Sequence, residues 1–140
     1  MRVMIFGTFD DLHPGHRYFL QHAAKRAGPS VSDHGGFYVV VARDGNVRRI
    51  KGKLPQFSEI ERAAAIRGAV PEATVLLGHP TDFLHHVRDL KPDLLVLGYD
   101  QRLPPGIREE DLPAKIERLP AFQPEKWKSS VLREGRRAKD

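Results

Sequence analysis

The chain contains no cysteine. Disulfide bridges and thiolate metal sites are therefore excluded. Long apolar runs are missing too: no stretch approaches the ~20 residues that a membrane-spanning helix needs. The opening segment Met1-Arg2-Val3-Met4-Ile5-Phe6 reaches Gly7 after too few apolar residues for the hydrophobic region of a secretory leader. A cytoplasmic setting without a membrane partner is the expectation. Aromatic residues make up only 8% of the chain and no recognised nucleic-acid module is present, so nucleic acid is not the expected partner. There is no internal repeat, no low-complexity segment and no obvious pair of catalytic carboxylates.

The composition that remains is that of an ordinary soluble domain, with 40% hydrophobic and 29% charged residues among 140. That length suits one domain over residues 1–140 with a real core, of which about 134–140 reads as a frayed basic tail. Acidic residues are the scarcer sign, 18 against 23 lysines and arginines, which leaves a formal charge of +5. The excess is local. Residues 43–53 hold Arg43, Arg48, Arg49, Lys51 and Lys53 against Asp44 alone, and residues 125–140 are similarly basic. Such clusters attract anions, from phosphorylated small molecules to nucleic acid.

The apolar pattern alternates between two periods. Arg2–Phe6 reads as a buried strand, and the loop Gly7–His13 leads to Pro14, whose fixed φ suits a first helical residue. Phe19, Ala23 and Ala27, beside Leu20 and Ala24, then recur at helical spacing until Gly28-Pro29. Residues 30–36 read as a polar loop, and Phe37–Ala42 as a strand covered on both faces. After a basic loop, Ser58 and Glu61 form a capping box that opens a helix running to about Val70. Ala73–Leu77 is a third strand, and a helix follows with Phe83, Leu84, Val87 and Leu90 on its apolar face. Leu94–Leu97 is a fourth strand, ending at Gly98-Tyr99-Asp100. A short helix near Glu109–Glu117 and a last one over Trp127–Arg133 complete the expectation. Alternating strands and helices predict an α/β fold: a Rossmann-like, doubly wound parallel sheet of about five strands in three α/β/α layers. In such a sheet the ligand crevice lies beyond the carboxyl ends of the strands where their order reverses. If the first and fourth strands are neighbours there, the loops at Gly7 and Gly98 line one crevice.

The segment that carries chemistry is Gly7-Thr8-Phe9-Asp10-Asp11-Leu12-His13-Pro14-Gly15-His16. A helix start offers unpaired backbone N–H groups and partial positive charge, both suited to phosphate. Two histidines there could donate hydrogen bonds to a triphosphate; they could equally be exposed residues with no task. A metal site is disfavoured because no third ligand is evident. Lys51 and Lys53 are balanced between ligand binding and a solvated basic loop. Asp10 could bind a metal or equally cap its own turn.

The same segment resembles the GTFDxxHxGH signature of the cytidylyltransferase-like nucleotidyltransferases, without a departure. The resemblance continues through Val41-Ala42-Arg43-Asp44, Lys51-Gly52-Lys53, Glu61-Arg62, Lys91-Pro92-Asp93, Gly98-Tyr99-Asp100-Gln101 and Lys128-Ser129-Ser130, spanning roughly residues 1–132. It implies in-line attack of an acceptor phosphate on the α-phosphorus of a nucleoside triphosphate, with loss of pyrophosphate. A phosphate monoester has its second pKa at about 6, so the nucleophile is already ionised at neutral pH and needs no general base. By resemblance, His13, His16 and Lys51 are the catalytic residues. Gly7, Thr8, Phe9, His13, His16, Gly98, Asp100, Ser129 and Ser130 would hold the nucleotide, and Asp10, Lys51, Lys53 and Arg62 the acceptor. Mg²⁺ would be carried by the triphosphate rather than by a protein ligand set. The likeness is strongest to archaeal-type FAD synthetases, which adenylylate FMN, although those are expected to have cysteines near the C-terminus and this chain has none. Glycerol-3-phosphate cytidylyltransferase, using CTP, is the alternative acceptor and nucleotide pair. A basic nucleotide- or RNA-binding protein is the alternative of another class. Family resemblance also implies a homodimer, which sedimentation would test.

Overall fold

The computed structural model describes residues 1–28, 36–99 and 101–120. The elements are β1 (Arg2–Gly7), α1 (Pro14–Ala27), β2 (Gly36–Val41), α2 (Asp44–Lys51), α3 (Glu59–Ala69), β3 (Thr74–Leu77), α4 (His85–Leu90), β4 (Leu94–Leu97) and β5 (Lys115–Arg118). All strand pairings are parallel, in the order β3-β2-β1-β4-β5. The order reverses at β1, which lies between β2 and β4. The loops that leave β1 and β4 therefore open side by side.

The two-residue period of the strands sorts the core into two layers. Val3 and Ile5 join Val39, Val41 and Val96 against Leu20 and Ala23 of α1 and Ile66 of α3. Met4 and Phe6 face the other way, with Val40 and Leu95, and are covered by Val87 of α4 and by Leu112. That is the three-layer arrangement expected from sequence. Burying a Leu, Ile or Val side chain contributes about 1.5–3 kcal/mol, so β1, with four successive buried residues, is the spine of the domain. No helix among the described residues is long and apolar enough to cross a membrane.

The structure corrects two elements of the sequence reading. The basic stretch after β2 is a helix, α2, rather than a loop. Its interior anchor is Val47, Gly52 ends it in the left-handed conformation, and the Glu59 carboxylate accepts from the Asp44 N–H at its start. Asp44 in the first turn and Arg48, Arg49 and Lys51 in the last also oppose the helix dipole favourably. The helix expected near Glu109–Glu117 is instead a single 3₁₀ turn, Glu109–Asp111, followed by β5. As an edge strand β5 tolerates the charges of Lys115, Glu117 and Arg118 that hide it in the sequence. The proline-spaced stretch before it lays Leu103, Ile107 and Leu112 on the second sheet face. The capping box at Ser58 and Glu61 forms as expected. The helix expected over Trp127–Arg133 and most of the 30–36 loop lie outside the described residues; Gly36 itself opens β2.

Candidate active site

At the reversal point, beyond the carboxyl ends of β1 and β4, lies a cleft of about 980 Å³. Gly7, Thr8, Phe9, Asp10, His13 and His16 form its floor, Ile50 and Lys51 one wall, and Gly98, Tyr99, Gln101 and Arg102 the other. Ordinary small-molecule pockets run to about 1,000 Å³, so the cleft has room for two substrates meeting over the β1 loop.

That loop has a demanding backbone. Phe9 and Asp11 both sit at positive φ, 53° and 61°, a conformation that costs a non-glycine residue about 1–2 kcal/mol. The buried Phe9 ring holds the turn in place. It packs so close to Gly7 that a Cβ there would lie 2.6 Å from Phe9 Cε2. Gly7 is thus required by a side chain two residues away.

The start of α1 departs from the expectation of free N–H groups. Pro14 has none. His13 is the N-cap residue, and its Nδ1 accepts from the Gly15 N–H at 3.1 Å and, more weakly, from the His16 N–H at 3.4 Å. The Arg17 N–H donates to the His13 carbonyl. Every donor of the first turn is engaged. Accepting at Nδ1 fixes the His13 proton on Nε2, so the ring itself becomes a donor at the cleft. His16 stacks on His13 with centroids 3.7 Å apart and meets Phe9 edge-on. The first-turn backbone N–H groups are thus occupied by the cap, and the imidazoles of His13 and His16 are what this helix start presents to the cleft.

Burial lowers the His16 pKa to about 4, and the neighbouring His13 and Lys51 push the same way against a weaker opposing pull from Asp11. His16 is neutral at pH 7. The native state then takes up this proton only near pH 4, while the unfolded chain does so near 6.5. In that interval the unfolded state binds more protons, so stability falls as pH drops. The expected result is that wild-type Tm declines relative to a His16→Gln variant as pH goes from 6.5 to 4, followed by circular dichroism. Parallel curves would contradict the assignment.

Asp10 is held by its neighbours rather than left open for a ligand. Its carboxylate accepts from the Gln56 N–H at 2.7 Å and the Phe57 N–H at 2.9 Å. Partial burial raises its pKa, but these two bonds together with the Arg62 and Lys51 charges outweigh that and leave it lowered. Lys51 reaches from the end of α2 to within 3.3 Å of the Thr8 hydroxyl. Gln101 folds the other wall back on the sheet: its Nε2 donates to the Phe6 carbonyl, and its Oε1 accepts from the Gly98 N–H. Arg118, at the end of β5, donates to the carbonyls of Gly98 and Gln101 and fixes the same turn.

The profile of the cytidylyltransferase-like family matches residues 4–131. This chain belongs to that family. The FAD synthase of Methanosarcina mazei is 41% identical over 125 residues, 85% of this chain and 76% of its own length. That of Korarchaeum cryptofilum is 41% identical over 137 residues, 94% and 89% respectively. Among solved structures, the lipopolysaccharide core biosynthesis protein from Thermoplasma volcanium GSS1 is similar at TM-score 0.71 and 35% identity, covering 88% of this chain and 98% of that one. The universal stress protein from Archaeoglobus fulgidus, at TM-score 0.51 and 17% identity over 86% of this chain and 93% of its own, shares the fold alone. The cytidylyltransferase-like domain and the relatives together make the chain a nucleotidyltransferase.

In this nucleotidyltransferase, Gly7, Thr8, Phe9, Asp10, His13, His16, Lys51 and Gly98 all line the cleft, as their positions in the sequence led us to expect. Lys53 is exposed and does not line it. Arg62 requires a correction. Its side chain is fully buried, and all three guanidinium nitrogens donate inward: Nε to the Phe57 carbonyl, one terminal nitrogen to the Thr8 carbonyl, the other to Asp44 Oδ1. With no surface at the cleft it cannot hold an acceptor here. Asp100, Ser129 and Ser130 lie outside the described residues. Sequence reasoning missed Ile50, Tyr99, Arg102 and Arg118. Ile50, Tyr99 and Arg102 each stand one residue from a motif position, which was the available signal; Arg118, at the end of β5, had none.

Proposed function

We propose that this nucleotidyltransferase moves AMP from ATP to FMN, giving FAD and pyrophosphate. The observation that carries the reading is the FAD synthase identity of relatives 41% identical over most of this chain. The cleft supports it. Ile50 and Tyr99 are more than half exposed, and they stand on opposite walls. Exposed apolar lips suit ligands with flat rings, such as a flavin and a purine, better than glycerol 3-phosphate, which has neither.

In this reading a phosphate oxygen of FMN forms the new bond to the α-phosphorus while the bond to the bridging oxygen of the β-phosphate breaks. The electron pair leaves with pyrophosphate. His13 donates from Nε2–H and neutral His16 from its own N–H to the phosphate oxygens, stabilising charge as it shifts in the transition state. Lys51 lowers the repulsion between the incoming FMN phosphate and the triphosphate. Glu or Asp ligand clusters do not enter the scheme. Among the described residues no group of three such side chains could hold a metal ion, and Asp10 is engaged by backbone N–H groups. Mg²⁺ bound mainly through the triphosphate would offset phosphate charge.

Crossing ATP and CTP with FMN and glycerol 3-phosphate, and identifying products by chromatography, tests the reading. FAD formed from ATP and FMN alone is expected. A cytidylylated glycerol product would replace the proposal with its alternative. Lys51→Ala is expected to raise the KM for FMN about tenfold with a much smaller change in the KM for ATP; steady-state kinetics with an unchanged KM for both would remove Lys51 from substrate binding.

A further inference from the structure

Arg62 is the one charged residue buried in the core among those described. Removing a guanidinium from water costs several kcal/mol unless its donors are satisfied, and the three groups that satisfy it belong to separate segments. Thr8 belongs to the loop after β1, Phe57 to the segment before α3, and Asp44 to the first turn of α2. The Arg62–Asp44 contact is 2.6 Å, and the Arg62–Thr8 carbonyl contact is 2.8 Å.

Thr8 is held from the other side as well. Its hydroxyl lies 3.3 Å from the Lys51 ammonium, at the far end of the helix that Asp44 begins. The contacts close a ring: Thr8 carbonyl to Arg62, Arg62 to Asp44, Asp44 along α2 to Lys51, and Lys51 back to the Thr8 hydroxyl. A second tie runs parallel, because the Asp10 carboxylate grips the N–H groups of Gln56 and Phe57 while the Phe57 carbonyl accepts from Arg62. Helix α2 is only eight residues long and places a single buried residue, Val47, in the core. So short an element with one apolar anchor has little hydrophobic packing to fix its axis, and its polar ties must supply the rest.

We infer that Arg62, acting with Asp44, is a positioning residue that sets the Lys51 ammonium against the β1 loop. It touches no substrate; it acts through Lys51. The inference rests on Lys51 serving the transfer reaction, as proposed above.

The test is a double-mutant cycle between Arg62→Lys and Lys51→Ala. Lysine at 62 keeps the buried charge but lacks the planar fork that serves three acceptors at once. With Lys51 present, Arg62→Lys is expected to lower kcat/KM about tenfold. In the Lys51→Ala background the same change is expected to cost less than about twofold, because the group it positions is gone. An equal factor in both backgrounds would overturn the inference, since a purely structural loss is indifferent to Lys51. If Arg62→Lys does not fold, Asp44→Ala replaces it in the same cycle; the Asp44 side chain is partly exposed and its loss leaves Arg62 two partners. The cycle is run on whichever substrate pair the wild type turns over, so a wrong assignment of FMN leaves the ratio readable. Dissociation constants for FMN, the ligand whose binding Lys51 serves in the proposed reading, give the same comparison without turnover.

Discussion

His16→Ala lowers kcat by about 10²–10³-fold, the usual cost of deleting one donor aimed at developing phosphate or oxyanion charge, while Tm stays within a few degrees of wild type. The two halves of this expectation have different sources. The ring is stacked on His13 and touches Phe9, but its Nδ1 is buried with no hydrogen-bond partner among the described residues. Its removal therefore breaks no well-formed hydrogen bond of that atom, only a weak contact of the ring with the Asp11 backbone. What it loses is a donor at the cleft floor. A neutral imidazole, held so by a pKa near 4, donates without carrying a charge that would trap the pyrophosphate product. Stopped-flow or steady-state rates together with thermal melts measure both halves. Activity within a few-fold of wild type would remove His16 from the chemistry.

Gly7→Ala has the second large effect, and it works through packing. The new methyl group would sit 2.6 and 2.7 Å from two carbons of the Phe9 ring, well inside van der Waals contact. Phe9 cannot swing away freely, because it is buried and its backbone is already at a positive φ. Overpacking of this kind costs about 1–3 kcal/mol. The loop that holds Thr8, Asp10 and the His13 cap must shift with the ring, so kcat/KM falls at least tenfold as well. Chemical denaturation and kinetics read the two losses. The same substitution in a Phe9→Leu background should cost less, because the clash is with ring carbons that leucine lacks. An undiminished cost there would show that the loop tolerates no Cβ at Gly7 for some reason other than Phe9.

The fold was legible where burial dictated residue type. The strand at Arg2–Phe6 and the one at Leu94–Leu97 are apolar because both of their faces are covered, and their adjacency at the reversal point places the Gly7 and Gly98 loops together. The edge strand β5 was not legible. Lys115-Ile116-Glu117-Arg118 buries little and alternates charge with a lone isoleucine, so its strand character comes from pairing with β4 rather than from local preference. Helix α2 was hidden for a related reason, having one buried residue and a cap supplied by Glu59, fifteen positions on.

At the site, residue types pointed to phosphate chemistry but not to partners. The histidine pair and Lys51 were found by the motif alone. That His13 caps its own helix, or that Arg62 turns inward to Thr8 and Asp44, depends on contacts across up to 54 positions. An arginine four residues after a capping serine looks alike in sequence whether it faces a ligand or a carbonyl. Only the packing of α3 against the sheet separates the two.

Transfer of the nucleotide group at the α-phosphorus is followed with ATP radiolabelled at that atom, FMN and Mg²⁺. The prediction is that the label moves into the flavin dinucleotide with one pyrophosphate released per FAD formed. Label appearing in free AMP, or no transfer to FMN while ATP is intact, would contradict it.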